Sequence, residues 1–397
     1  RDVLGSRGLG DVYKRQGRND MKVLILTCNT GGGHNAAAAA LRRELESRGH
    51  TCAVADALSF GPKHFSEAIS HLHTIAYRYF PKIYGAGYRK KEERVLGEDE
   101  TSFEYKMNAI CVPQLYRYLL SGGFDAIVTP HVFPAEMLTR LRRKYEYKKP
   151  FYFIATDYTC SPCVDEITPD YWVIPDERLI PEFTARGIPE DRLLPLGIPT
   201  NPAMAAHVDR NVARRLLHLP QQGEMVLVMS GSIGCGPMTT LALKLLRRLP
   251  KDSFVVVICG KNKGDLKELQ RYAKFLERLY PVGFTDRMDL YYSAADLVVG
   301  KPGGLSCTEI AQKRVPAVLM LSVPGCESRN LEFFTRYRMA LGTESVRDTL
   351  SAVRRLLGSA AMRNRMMLAQ RRIPQGAVAA ITDLIEKGTV PLPAKEE

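Results

Sequence analysis

Gly300-Lys301-Pro302-Gly303-Gly304-Leu305-Ser306-Cys307-Thr308-Glu309 is the stretch that decides the fold. It follows a short apolar run, Leu297-Val298-Val299, and leads into helix-forming sequence. Strand, glycine turn and helix start together make an anion site, because the first backbone N–H groups of a helix are unpaired and its dipole favours negative charge there. Gly303 and Gly304 let the backbone approach a phosphate closely, and Ser306 adds a hydroxyl donor. Glu309 lies a turn further on, where a carboxylate can accept hydrogen bonds from the vicinal diol of a ribose. Diphosphate and ribose in one short segment suggest a nucleotide-sugar donor. Taken alone, Pro-Gly-Gly is also an ordinary turn, so the reading depends on the rest of the chain.

Outward from this stretch, strand-like runs alternate with helical ones, which predicts parallel sheets. Val23–Cys28, Cys52–Ala55, Ala126–Thr129, Phe151–Ala155 and Tyr171–Ile174 form a first set. Met225–Met229, Phe254–Cys259, Leu297–Val299 and Ala317–Leu321 form a second. Each set opens with a strand running into a glycine turn: Gly31-Gly32-Gly33-His34 in the first, and Ser230-Gly231-Ser232-Ile233-Gly234 in the second. The expected fold is therefore α/β, with two Rossmann-like domains facing each other across a cleft and ligands at the strand C-termini. The turn-rich Pro195–Pro202 stretch sets the boundary: residues 21–198 for the first domain, 199–375 for the second, and 376–397 for a closing helix and tail. Gly31, Gly33 and Ala36 also fit G-x-G-x-x-A, with Asp56 where a ribose-binding acid would sit. That dinucleotide reading leaves the second glycine turn and Glu309 without a task.

The chain has 397 residues, enough for two cores, and a net charge of +13. The surplus implies an anionic partner: phosphorylated substrate, anionic membrane surface or nucleic acid. The Arg140–Lys149 and Arg89–Arg94 stretches are its densest clusters. No nucleic-acid module signature accompanies them. No apolar run approaches the roughly 18 to 20 residues that span a bilayer. Residues 1–20 read as a non-native or disordered leader, with Met21 running straight into the first strand. Of nine cysteines, only Cys160 and Cys163 form a C-x-x-C, and no second pair completes a zinc site. An odd count without a secretion signal suggests reduced thiols in a cytoplasm.

His34 follows three glycines at a strand-to-helix turn, so its ring is expected in the cleft, able to take a proton from an acceptor hydroxyl near neutral pH. Glu327 and Asn330, after the Ala317–Leu321 strand, are placed to hydrogen-bond sugar hydroxyls. Tyr280-Pro281-Val282-Gly283-Phe284 suits the packing of a flat base, or is a plain strand end. No D-x-D pair occurs, so helix N-termini and glycine amides, rather than a metal, are expected to hold the diphosphate. A base on one face and the leaving group on the other describe a single in-line displacement, which inverts the anomeric carbon.

Taken together, Gly31-Gly32-Gly33-His34, Thr156-Asp157-Tyr158, Gly197-Ile198-Pro199, Gly231-Ser232-Ile233-Gly234, Cys259-Gly260-Lys261-Asn262, Lys301-Pro302-Gly303-Gly304 and Pro324-Gly325…Glu327…Asn330 resemble glycosyltransferase family 28. The resemblance is to its branch of monogalactosyldiacylglycerol synthases and processive diacylglycerol glucosyltransferases, and runs from about Met21 past residue 370. It implies a GT-B fold, a lipid acceptor in the first domain and a UDP-sugar, UDP-glucose or UDP-galactose, in the second. It implies inverting transfer to diacylglycerol or a glycosyldiacylglycerol, with no cofactor and no metal. His34 matches the acceptor-side loop as catalytic residue, and Gly32, Gly33 and Asp157 match acceptor-side positions. Gly231, Ser232 and Gly260 match donor-side loops. Gly283 and Phe284 match the base-binding strand end, Gly303, Gly304, Ser306 and Glu309 the phosphate and ribose positions, and Glu327 and Asn330 the sugar contacts. Cys326 stands where the family often has Gln, and Thr159-Cys160-Ser161-Pro162-Cys163 replaces a stretch that often holds His and Trp.

Phe65, Ile69, Leu72, Ile75, Ala76 and Tyr79 recur at helical spacing, with basic residues downstream. Such a stripe either faces a core or lies in an anionic membrane interface. With the lipid-enzyme resemblance it suggests a cytoplasmic protein peripheral on the inner face of the cell membrane. Alternatives are a related enzyme acting on a polyprenyl-linked acceptor, a UDP-sugar 2-epimerase, and a non-catalytic UDP-sugar sensor.

Overall fold

The computed structural model describes residues 20–29, 32–92, 103–229, 231, 236–321 and 323–388. Gly31 and Ser232 of the two glycine turns, the leader through residue 19 and the tail from residue 389 lie outside the described residues. The first sheet contains β1 (Lys22–Thr27), β2 (Thr51–Asp56), β3 (Ala126–Thr129), β4 (Phe151–Ile154), β5 (Tyr171–Val173) and β6 (Leu193–Leu194), in the order β2-β1-β3-β4-β5-β6. The second contains β7 (Met225–Met229), β8 (Phe254–Ile258), β9 (Leu279–Val282), β10 (Leu297–Gly300), β11 (Ala317–Met320) and β12 (Leu341–Thr343), in the order β12-β11-β10-β7-β8-β9. All pairings are parallel. The central strands are apolar along their length and buried on both faces, as a helix-covered parallel sheet requires.

In each sheet the strand order reverses beside the first strand. The chain leaves β1 outward to β2 and returns on its other side as β3. It leaves β7 to β8 and returns on the other side as β10. Loops on either side of such a reversal diverge and leave a crevice at the strand C-termini. Gly32 and His34 follow β1 and His131 follows β3, while Gly231 follows β7 and Lys301–Gly304 follow β10. The fold therefore brings both glycine turns to crevices.

The halves also share a core. Tyr158, just beyond β4, has its ring 4.8 Å from that of Phe333 and 4.9 Å from that of Phe334, and its hydroxyl lies 2.8 Å from Thr308 Oγ1. The helix Ala377–Lys387 packs on the first sheet, with Ile381 and Leu384 in one cluster with Val23, Ile25 and Leu41. His50 Nε2 lies 2.8 Å from Glu386, which also pairs with Arg48 at 3.2 Å. Where the chain passes between the sheets, Gly197 has a φ of 95°, and a Cβ there would stand 3.0 Å from Pro374 Cβ. The outgoing and returning segments thus touch.

The amphipathic stripe divides. Phe65 and Ile69 of the Phe65–Tyr79 helix pack against the core, whereas Leu72 is 60% exposed and Ile83, on the next helix, 69%. Among the described residues, no helix is long and apolar enough to cross a membrane.

Candidate active site between the two sheets

The Gly32–Ser47 helix begins at the first glycine turn, which places His34 in its first turn. His34 is half-buried, and its Nδ1 lies 2.8 Å from the Pro130 carbonyl oxygen and 3.0 Å from Thr156 Oγ1. A carbonyl only accepts, so Nδ1 carries the proton and Nε2 keeps its lone pair. Burial holds the imidazole below its ordinary value, against the raising pull of Asp157. The ring is therefore neutral at neutral pH, and a proton gained at Nε2 would be stabilised by Asp157. The His131 ring packs beside it at 4.5 Å, while His131 Nδ1 accepts the Phe133 N–H and so caps the following helix. His131 was legible only as the residue after a strand and a proline. Asp56 accepts the Leu58 N–H and the Ser66 hydroxyl in a local turn, so its carboxylate is occupied.

On the other side, the Gly304–Lys313 helix starts with no acidic residue in its first turn, leaving its dipole end to an anion. Gly303 is the residue just before it and Ser306 is half-buried in its first turn. Gly304 has to be glycine: a Cβ there would stand 1.9 Å from the Thr156 carbonyl oxygen. A Cβ on Gly33 would lie 3.8 Å from Leu305 Cβ. The turn before the Gly32–Ser47 helix and the turn before the Gly304–Lys313 helix thus meet across the cleft.

Glu309 is half-buried and accepts a 3.1 Å hydrogen bond from the Tyr292 hydroxyl. Burial pushes its carboxyl up to about 7, against that hydrogen bond. Gly231, with φ of 71°, is crossed by the Lys301 side chain, whose Cε would be 2.6 Å from a Cβ there. Lys301 therefore brings a cation between the second and third glycine turns, a role its place in the quoted motif did not by itself reveal. Gly260, with φ of 56°, ends the segment after β8. Gly283 and Phe284 follow β9, and the Phe284 ring is 70% exposed.

Glu327 and Asn330, expected to face the sugar, have other partners here. Glu327 is buried and takes Lys301 Nζ at 2.6 Å. Asn330 is fully buried: its Nδ2 donates to Asp157 at 2.7 Å and to the Pro302 carbonyl at 3.0 Å, and its Oδ1 accepts the Tyr158 N–H at 2.6 Å. The physical reason is the closed interface, where buried polar groups must find partners. Asp157, expected on the acceptor side, is tied to the donor half by the same amide.

Cys160 is buried, its N–H donates to Glu182 at 2.8 Å, and burial raises its thiol well above the ordinary range. It is a structural residue, separate in surroundings from Cys163.

Two parallel Rossmann-like sheets with glycine turns opposed across a cleft define a GT-B enzyme. Residues 34–200 match the monogalactosyldiacylglycerol (MGDG) synthase family and residues 225–325 the glycosyltransferase family 28 C-terminal domain. The chain belongs to glycosyltransferase family 28, in its branch of monogalactosyldiacylglycerol synthases and processive diacylglycerol glucosyltransferases, and is a UDP-sugar-dependent glycosyltransferase. It is 24% identical to a processive diacylglycerol β-glucosyltransferase of Bacillus licheniformis over 94% of this chain and 97% of that protein. The enzyme of the same name from Staphylococcus saprophyticus is 26% identical over 65% of this chain and 64% of its own. Among solved structures, S. aureus MnaA with UDP superposes with a TM-score of 0.62 at 14% identity, over 94% of this chain and 99% of that one.

Proposed function

We propose that the chain transfers a hexose, glucose or galactose, from its UDP-sugar to diacylglycerol or a glycosyldiacylglycerol, with inversion, at an anionic membrane surface and without a metal at the diphosphate. The observation that carries this is the meeting of the two turns, Gly33 against Leu305. It puts a neutral imidazole on one side of the cleft and a helix N-terminus with Lys301 on the other. His34 Nε2 would take the proton of the acceptor hydroxyl as its oxygen attacks the anomeric carbon. The bond to the diphosphate breaks on the far face, where the amides of the Gly304–Lys313 helix and the Lys301 ammonium receive the negative charge. Glu309 would hold the ribose diol and Phe284 would lie against the base.

The diacylglycerol acceptor is supported by the two relatives' names. The membrane surface is supported by exposed Leu72, Phe80 and Ile83, followed in sequence by exposed Arg89 and Lys90. The test supplies UDP-glucose and UDP-galactose separately with diacylglycerol in micelles containing an anionic lipid, following UDP and glycolipid together. Product with an inverted anomeric centre from one donor supports the reading. UDP release without glycolipid sinks the acceptor assignment, and binding without turnover favours a sensor.

A further inference from the structure

The Cys163 segment, set apart by sequence from the rest of the family pattern, is built into a rigid turn. The Glu166 N–H donates to the Cys163 carbonyl at 3.2 Å, which places the thiol and the Glu166 carboxylate at the two ends of one turn. Cys163 has φ of 69°, a left-handed conformation that a side-chain-bearing residue adopts at a cost of about 1 kcal/mol or more. The turn is fixed from below: Val164 and Ile167 are buried, and Trp172 Nε1 donates to the Val164 carbonyl at 3.2 Å. Thr168 N–H donates to Thr139 Oγ1 at 2.9 Å, docking the turn on the Val132–Tyr145 helix. That helix presents Glu136 to the turn.

One ligand atom each from Glu136, Cys163 and Glu166 lie within 4.8 Å of one another, all three side chains half-buried. A second observation points to the same spot. Asn108 is fully buried, its amide nitrogen sits 2.6 Å from Glu136 Oε2, and its Oδ1 has no hydrogen-bond partner. The Asn108 amide thus lies against the Glu136 carboxylate with its nitrogen, and a turn of the amide that exchanges nitrogen and oxygen brings the orphan oxygen to that side. A thiol, two carboxylates and an amide oxygen are a donor set for a borderline-soft divalent cation, with metal–sulfur near 2.3 Å and metal–oxygen near 2.0–2.2 Å.

We propose that Glu136, Cys163 and Glu166, completed by Asn108 Oδ1 or water, bind one divalent transition-metal cation, zinc by ligand chemistry, which pins the Cys163–Glu166 turn to the helix that begins beside His131. Cys163 binds as thiolate and releases its proton to solvent on loading. The cation and Arg140, which adjoins Glu136, offset the three negative charges. The site does not depend on the reaction assigned above.

The test strips the full chain with a chelator, removes the chelator and titrates cobalt(II). A thiolate-to-cobalt charge-transfer band should saturate at one equivalent and bleach on adding zinc. It should be lost in Cys163→Ser, persist in Cys160→Ser, and need at least about tenfold more metal in Glu166→Gln. Zinc should raise the melting temperature of the wild type. Folded wild type without the band, a band that survives Cys163→Ser, or zinc that leaves the melting temperature of the wild type unmoved would each overturn the site. Because the readout is metal binding, failure of glycosyl transfer leaves it standing.

Discussion

The two crevices share a backbone design and differ in the side chains that fill them. At the β1/β3 reversal a neutral imidazole is clamped between the Pro130 carbonyl and Thr156. At the β7/β10 reversal a lysine crosses a glycine and a raised carboxyl waits a turn further on. Neither helix that starts there carries an acid in its first turn. The backbone therefore supplies the same positive dipole twice, and only the side chains, an imidazole in one crevice and a lysine with a carboxyl in the other, tell the two apart. On the function proposed above, one frame used twice would supply the two halves of a displacement.

The largest effect is expected from His34→Ala. If the first crevice holds the base, transfer should fall by about 10²- to 10⁴-fold while UDP binding, measured by calorimetry, is unchanged. The wild-type rate should stay flat through neutral pH and fall only below the ordinary histidine value, because burial depresses the imidazole. A variant that loses UDP affinity instead would place His34 on the donor side.

Asn330→Asp sharpens the boundary between the crevices. The substitution keeps the oxygen that accepts Tyr158 N–H but removes both donors and sets a carboxylate 2.7 Å from Asp157. Urea unfolding should show a loss of about 2–4 kcal/mol. Full stability with a raised KM for the donor alone would return Asn330 to the sugar.

The central strands could be read from the sequence because both their faces are buried, which writes an unbroken apolar run. Leu193–Leu194 and Leu341–Thr343, at two sheet edges, went unread, and Leu279–Val282, at another, was read only as a possible strand end. Edge strands are short and need no such run, and Pro281 is tolerated there because an edge N–H can go unpaired. The glycine turns, with His34 beside the first, were legible because a close backbone approach demands glycine, as at Gly304 against the Thr156 carbonyl. The partners of Glu327 and Asn330 were not, since they come from residues 26 and 173 positions away. Nothing local announces that an amide will join two halves rather than face a substrate. Tyr292 beside Glu309 is hidden for the same reason.

The smallest effect is also the most diagnostic, because Glu309 should move binding and stability in opposite directions. Its carboxyl sits at about 7 in the folded protein, against an ordinary 4.5. Between those values the unfolded chain has lost the proton and the folded chain still holds it. Folding stability therefore declines as pH rises through this window, by about 3 kcal/mol in total. The ribose diol, in contrast, donates to the carboxylate, so UDP affinity should rise over the same window and level off above pH 7. Glu309→Gln keeps an acceptor for Tyr292 but has no charge to gain. It should flatten both curves, lower UDP affinity about tenfold above pH 7 and be relatively more stable there. If the variant flattens the stability curve but leaves the UDP curve as in the wild type, the carboxyl is buried for packing and the ribose is held elsewhere. If both curves flatten together, the second crevice uses its side chains on the nucleotide.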